Sequence, residues 1–192
     1  MTIVTRKLLA SLSVLALLAL PASAQTVGPS GEAASPSSDI TLDDAQATEL
    51  QGKGLKAALL WHDQADFVNA VTAGATDEFA RLGIEVVATT SAGFDSAKQL
   101  ADVETTLALD PDIILSLPLD PVASAAAFKK ATEAGAKLVF RWNLPAGYKQ
   151  PGDYAAIVTD DLFQMGKQAA DVLATAMGGK GNVGWIFHDA SY

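Results

Sequence analysis

Cysteine is absent from the 192-residue chain, which excludes a disulfide framework and also the lipid-attachment cysteine that would tether an exported protein at its N-terminus. Histidine is scarce: the two residues, His62 and His188, do not sit at the i, i+4 spacing of a helical zinc motif, nor in a recognisable nucleophile setting. Basic residues are few, 13 Lys and Arg against 22 Asp and Glu. Such a surface repels phosphate backbones and anionic lipid, so no nucleic-acid partner is expected. Apart from the N-terminus, no apolar run is long enough to cross a bilayer.

The N-terminal exception reads as an export signal over residues 1–24. Arg6 and Lys7 form its charged part, residues 8–20 its apolar part, and Ala22-Ser23-Ala24 a small-residue cleavage site. The apolar part is about 13 residues long against the ~20 of a spanning helix, so cleavage is expected and no stable membrane insertion afterwards. Loss of Arg6 and Lys7 lowers the basic count from 13 to 11 against 22 acidic residues, a mature net charge near −11. A monomer in the periplasm is expected.

Residues 25–38 are rich in Ser, Pro, Ala and Gly; residues 25–52 read as a flexible lead-in, with a short helix possible over 40–51. From Lys53 the chain becomes regular. Residues 55–61 are an apolar run of strand length, residues 62–66 a polar turn, and apolar positions from Phe67 to Leu82 recur at helical spacing up to Gly83. A second strand is expected over 84–89. Asp95 is placed to cap a helix running to about Leu109.

Asp112 to Leu117 is an almost pure apolar run, as expected of a strand covered on both faces. Pro121 suits the first turn of a helix continuing to Ala134. Strands over 137–142 and 154–159 follow, then an amphipathic helix from Leu162 to Met177 closed by Gly178-Gly179, and a strand over 182–187. Gly178-Gly179-Lys180-Gly181 is a helix terminator and not a phosphate cradle, since a helix precedes it and a strand follows. The βα alternation, with right-handed crossovers, predicts an α/β fold with a doubly wound, parallel, Rossmann-like sheet.

No constellation for catalysis stands out, and no cofactor or metal site is expected. The acidic pair Asp43-Asp44 reads as solvated, and Asp160-Asp161 either caps a helix or meets ligand hydroxyls. What accumulates is polar and aromatic residues at strand exits: His62, Asp66 and Phe67 after the first strand, Asp120 after the third, Trp142 and Asn143 after the fourth, Thr159 and Asp160 after the fifth. In a parallel sheet all of these exits share one edge. Rings mixed with carboxylates and amides suit a neutral polyhydroxylated ligand, whose C–H faces stack and whose hydroxyls pair. For each residue alone, ordinary loop polarity is the competing explanation.

From Lys53 onward the chain resembles the periplasmic sugar-binding proteins of ABC transporters, of the ribose-binding and LacI-like ligand-domain type. The resemblance rests on Asp66-Phe67-Val68 leading to Thr72-Ala73-Gly74-Ala75, on Ala97-Lys98-Gln99-Leu100 followed by Asp102, and on Asp112-Ile113-Ile114-Leu115 with Pro118 and Asp120. It continues through Ala134-Gly135-Ala136-Lys137-Leu138-Val139, Val158-Thr159-Asp160-Asp161 with Gly166, and Gly178-Gly179-Lys180-Gly181. It implies two lobes closing on a small sugar or polyol that is then delivered to an ABC permease, with residues 53–158 as the first lobe and 159–192 as the start of an incomplete second.

The family's stacking phenylalanine falls on Phe67. The aspartate that commonly grips sugar hydroxyls falls on Trp142, the neighbouring residue, often arginine, on Asn143, and the polar residue of the lobe crossing on Thr159. These departures argue against ribose itself and leave open a pentose, a polyol or another small polar solute. The same fold also serves as the sensing input of chemoreceptors and histidine kinases. An exported α/β enzyme is disfavoured by the missing strand, Gly-rich turn and helix order, and a repressor by the signal occupying the place of a basic DNA-binding module. Half a clamp excludes water from only one side of a ligand. Calorimetry on the 192-residue chain is therefore expected to detect no micromolar sugar binding, and a micromolar isotherm would overturn the half-clamp expectation.

Overall fold

The computed structural model describes residues 26–186. The export signal and His188 lie outside them. The ordered body is one five-stranded parallel sheet in the order β2-β1-β3-β4-β5, formed by β1 (Lys56–Trp61), β2 (Glu85–Ser91), β3 (Ile113–Ser116), β4 (Lys137–Arg141) and β5 (Ala156–Val158). Around it run α1 (Asp44–Gln51), α2 (Asp66–Arg81), α3 (Ser96–Leu107), α4 (Pro121–Glu133) and α5 (Leu162–Ala176). This is the doubly wound α/β class that the alternation predicts.

Strand β1 is the most buried. Ala57, Ala58, Leu59 and Leu60 are wholly inaccessible to solvent, because β2 and β3 flank the strand and helices cover both faces. Successive residues point to opposite faces. Ala58 and Leu60 join Ile114, Leu138, Phe140 and the α3 and α4 residues Val103, Phe128 and Ala131. Ala57 packs beside α1 with Ala47 and Leu82, while Leu59 and Trp61 meet Val68 of α2 and Leu117.

Helix starts follow the side chains that satisfy their free N–H groups. Asp95 accepts from Ala97 and Lys98, Asp120 from Val122 and Ala123 with Pro121 in the first turn, and Asp161 from Gln164. Asp43, expected to be merely solvated, makes a reciprocal capping box with Gln46. The lead-in has some order of its own: Gly28 N–H donates to the Glu32 carbonyl at 2.8 Å, and Thr26 Oγ1 donates to Asp161 at 3.0 Å.

Two expectations differ from the structure. The amphipathic helix α5 forms but buries none of its residues, so its apolar positions, such as Phe163, Met165 and Leu173, stand exposed. The strand expected over 182–187 is not formed where it is described: residues 182–186 carry no regular structure, and Phe187 lies outside the described residues. A strand needs a laddered neighbour to satisfy its backbone, and residues 182–186 pair with no strand among the described residues.

One buried polar side chain fixes the exit of β3. Gln99 of α3, 2% exposed, donates from Nε2 to the Leu117 carbonyl and accepts at Oε1 from the Leu119 N–H, both at 2.9 Å. It therefore stands in for water around a loop that leads directly to Asp120. Gln99→Leu leaves both backbone groups buried without partners and is expected to cost about 1–3 kcal/mol, read as a lower urea midpoint at unchanged slope. An unchanged midpoint would show that the loop finds other partners.

Candidate functional site

The sheet order places a switch point between β1 and β3, where neighbouring chain crossovers depart in opposite directions and a crevice opens at the carboxyl ends. The expected site residues lie along that edge, and the structure sorts them into groups.

The tightest group is Phe67, Arg141, Trp142 and Asp160. Phe67 lies in the first turn of α2 and stacks on Trp142, just past β4, with ring centroids 5.4 Å apart and planes only 10° from parallel. Both rings are partly open, Phe67 44% and Trp142 40% exposed. Trp142 reaches this position through a left-handed backbone, φ +62°, in a bend where Asn143 N–H donates back to the Arg141 carbonyl at 2.8 Å. A non-glycine residue in that region costs on the order of 1–3 kcal/mol, which neighbouring contacts must offset.

Arg141 supplies several of those contacts. Leu138 and Phe140 of β4 face the α3/α4 core, and strand alternation turns Arg141 to the other side, towards α2. Its guanidinium lies 4.3 Å from the Trp142 ring centroid and 5.3 Å from that of Phe67. Nη1 donates to the Val158 carbonyl at 2.9 Å and Nη2 to Asp160 Oδ2 at 2.8 Å. The arginine side chain is 7% exposed and the aspartate 52%, so a buried cation is neutralised by a carboxylate whose other side is open to water.

The remaining candidates stand apart from this group. Asn143 Nδ2 donates to the Pro118 carbonyl at 2.9 Å, tying the β4 exit to the β3 exit. Asp120 spends its Oδ1 on the two N–H groups that it caps. Thr159 Oγ1 donates weakly to the Asp160 carbonyl at 3.3 Å. Asp66 is exposed at the start of α2, where a negative charge suits the helix dipole. His62 meets Phe94 edge to face at 5.5 Å, and its Nδ1 is buried with no partner. Burial disfavours the charged ring and lowers the His62 pKa, against an opposing pull from Asp63.

Two residues of this edge escape a reading of the sequence. Arg141 ends a strand whose other residues are apolar apart from Lys137, and the only signal is a charge where a buried position is due. Phe94, 66% exposed at φ +60° after Gly93, looks like loop composition until its contact with His62 is seen. Among the described residues, no group of three His, Asp or Glu side chains is placed to hold a metal ion, and no helix is long and apolar enough to cross a membrane.

The hydrogen bond from Arg141 holds the Asp160 carboxyl below the ordinary aspartate range, against a weaker opposing effect of burial. A carboxyl depressed in the folded state stabilises above its unfolded pKa, and that contribution is lost as pH falls through the folded value. In a carboxyl-detected NMR titration Asp160 is expected to protonate at lower pH than an exposed aspartate, and Arg141→Met to return it towards the ordinary range. Coincident titration curves in the two proteins would show that the pair does not form in solution.

Comparison with known proteins bears on the fold that carries this surface. A search of curated sequences finds no match. Among solved structures, a solute-binding protein of an ABC transporter from Agrobacterium vitis, bound with α-D-tagatopyranose, superposes with a TM-score of 0.58 at 25% identity, over 66% of this chain and 45% of its own. The Caulobacter myo-inositol-binding protein gives 0.54 at 23%, over 66% and 42%. The fructose-binding periplasmic domain of a hybrid two-component system gives 0.56 at 17%, over 66% and 41%. The chain thus spans less than half the length of each. Residues 57–191, from the buried core of β1 onward, match the sequence profile of the periplasmic binding protein domain, and the protein belongs to that family.

Proposed function

We propose that the protein is exported to the periplasm, captures a small neutral sugar or polyol between two lobes and presents it to an ABC permease without catalysing a reaction. Residues 53–158 would be its first lobe and residues 159–192 the opening of its second. The observation that carries this reading is the aromatic pair Phe67–Trp142 at the carboxyl edge of the sheet, backed by the Arg141–Asp160 ion pair. Exposed ring faces meet the C–H faces of a sugar, and the open oxygen of Asp160 can accept from a hydroxyl.

The geometry constrains how such a ligand sits. Carbon atoms in contact lie ~3.5–4.0 Å apart, so a ring inserted between two others needs ~7–8 Å. The 5.4 Å pair has no such gap. A ligand either stacks on an outer face or parts the rings. Asn143, Thr159, His62 and Asp66, which stand apart from the ring pair, would meet such a ligand only at its periphery, while Asp120 acts through the α4 start that it caps.

A second reading, that the same fold is the sensing input of a signalling protein, is favoured by one observation, the likeness to a periplasmic domain of a hybrid two-component system. Neighbouring genes for a permease and ATPase, as against a kinase, separate the two. Thermal-shift screening of sugars and polyols on the full-length protein is expected to find a ligand that raises Tm. Phe67→Ala and Asp160→Ala should then each weaken that ligand by about 1–3 kcal/mol without unfolding the protein. Unchanged affinity in both variants would remove the pair and its ion bridge from the site.

A further inference from the structure

We infer that Arg141 is a positioning residue that links the Phe67–Trp142 rings to the chain segment leaving the sheet, so that a change at the rings is felt at residues 158–160. The inference rests on the reading of those rings as the ligand platform, but its geometry stands on contacts within the chain alone.

Three observations carry it. First, one buried guanidinium touches both partners: it lies over the rings at 4.3 and 5.3 Å and donates to the Val158 carbonyl and the Asp160 carboxylate at 2.9 and 2.8 Å. A planar, delocalised cation can stack through its face while donating through its edge, which an ammonium cannot do. Secondly, the segment has few other anchors. β5 has three residues paired with β4 alone, and α5 after it buries nothing. Besides Arg141, the described residues give it a long 3.4 Å bond from Trp142 N–H to the Val158 carbonyl, a side-chain hydrogen bond from Trp142 to Asp160, and the contacts of Thr26 with Asp161 and Phe163.

Thirdly, the ring side of the link is poised. Trp142 is held in a left-handed conformation next to Arg141 in sequence, so a shift of its ring moves a group packed on the guanidinium and not a free side chain. Parting the rings would withdraw a face from Arg141, and an added stacking partner would fix it. Either change alters how firmly the fork holds Val158 and Asp160. Phe67 approaches the guanidinium from α2, a different element, and makes no hydrogen bond with the 158–160 segment among the described residues. It is therefore the clean place to perturb one end and read the other.

The test needs no ligand, so its failure is distinct from failure of the sugar-binding reading, which the thermal-shift screen decides. Amide exchange of residues 156–160 is followed by NMR in the 192-residue chain, with β1 amides as the control for global opening. Phe67→Ala is expected to speed exchange there about threefold, the factor that loss of one cation–π contact at a partly exposed site amounts to, while β1 is unaffected. In an Arg141→Met background, where the fork is gone, the same Phe67→Ala change is expected to add nothing. Should Arg141→Met lose the dispersed spectrum of the native fold, Arg141→Lys keeps the charge and removes the fork, and the same non-additivity is expected.

Two results would overturn the inference. Wild-type exchange at 156–160 in Phe67→Ala, with acceleration in the Arg141 variant, would make Arg141 a strap with no link to the rings. Equal acceleration by Phe67→Ala with and without the arginine fork would route the link elsewhere.

Discussion

A parallel strand buried on both faces is the constraint from which the rest of this structure follows. The side chains of β1 from Ala57 to Leu60 have no access to water, so each face must be covered and each backbone group must be laddered. The ladder requires β2 and β3 on either side, and parallel pairing requires a crossover for each. The crossover helices α2, α3 and α4 supply the cover. The same pairing brings every strand to its end at one edge, so residues with no business in a core collect there. The candidate site is the consequence of a buried strand, before any particular residue is chosen for it.

Arg141 shows how the two demands meet. It occupies the last position of β4, where a core residue would be apolar, and is almost wholly buried. A cation there needs a counter-charge and acceptors, since its desolvation would otherwise cost several kcal/mol. Asp160 and the Val158 carbonyl meet that need, and both come from the exit of β5. Burial of the charge thereby dictates where the next strand must end. In an acidic chain, whose formal net charge is −9, it also sets a buried positive centre among exposed carboxylates.

How much of this could be read from residues alone divides along a physical line. Burial and capping are local or periodic, so the apolar runs of β1 and β3, the cap at Asp95 and the proline opening α4 all announce themselves, within one or two residues at the ends. The gathering of Phe67, Trp142 and Asp160 at one edge follows from topology and was legible too. What each residue does there was not. Asp120 caps a helix start through one carboxylate oxygen, and Asn143 ties two loops by donating to the Pro118 carbonyl, contacts set by loop geometry that no periodicity reports. Arg141 was hidden because a strand-end arginine reads as solvated. α5 carries the clearest amphipathic pattern yet packs on nothing described, since periodicity reports a face that could be buried and not the surface that buries it.

The closed ring pair also bears on which ligands such a surface can hold. Offset-stacked aromatic pairs are worth about 0.5–1.5 kcal/mol beyond their buried area. A ligand that parts Phe67 from Trp142 forfeits that term, and disturbs a guanidinium that two hydrogen bonds hold in place. A ligand that stacks on an outer face keeps the pair, the cation beneath it and the left-handed turn at Trp142 intact. Outer-face stacking is thus the less costly mode unless the inserted ligand gains two faces at once, as a flat, fully apolar ring would and a hydroxylated one would not. The arrangement favours a ligand with one apolar face and one hydroxylated face, the second turned away from the rings towards whatever polar groups close over it.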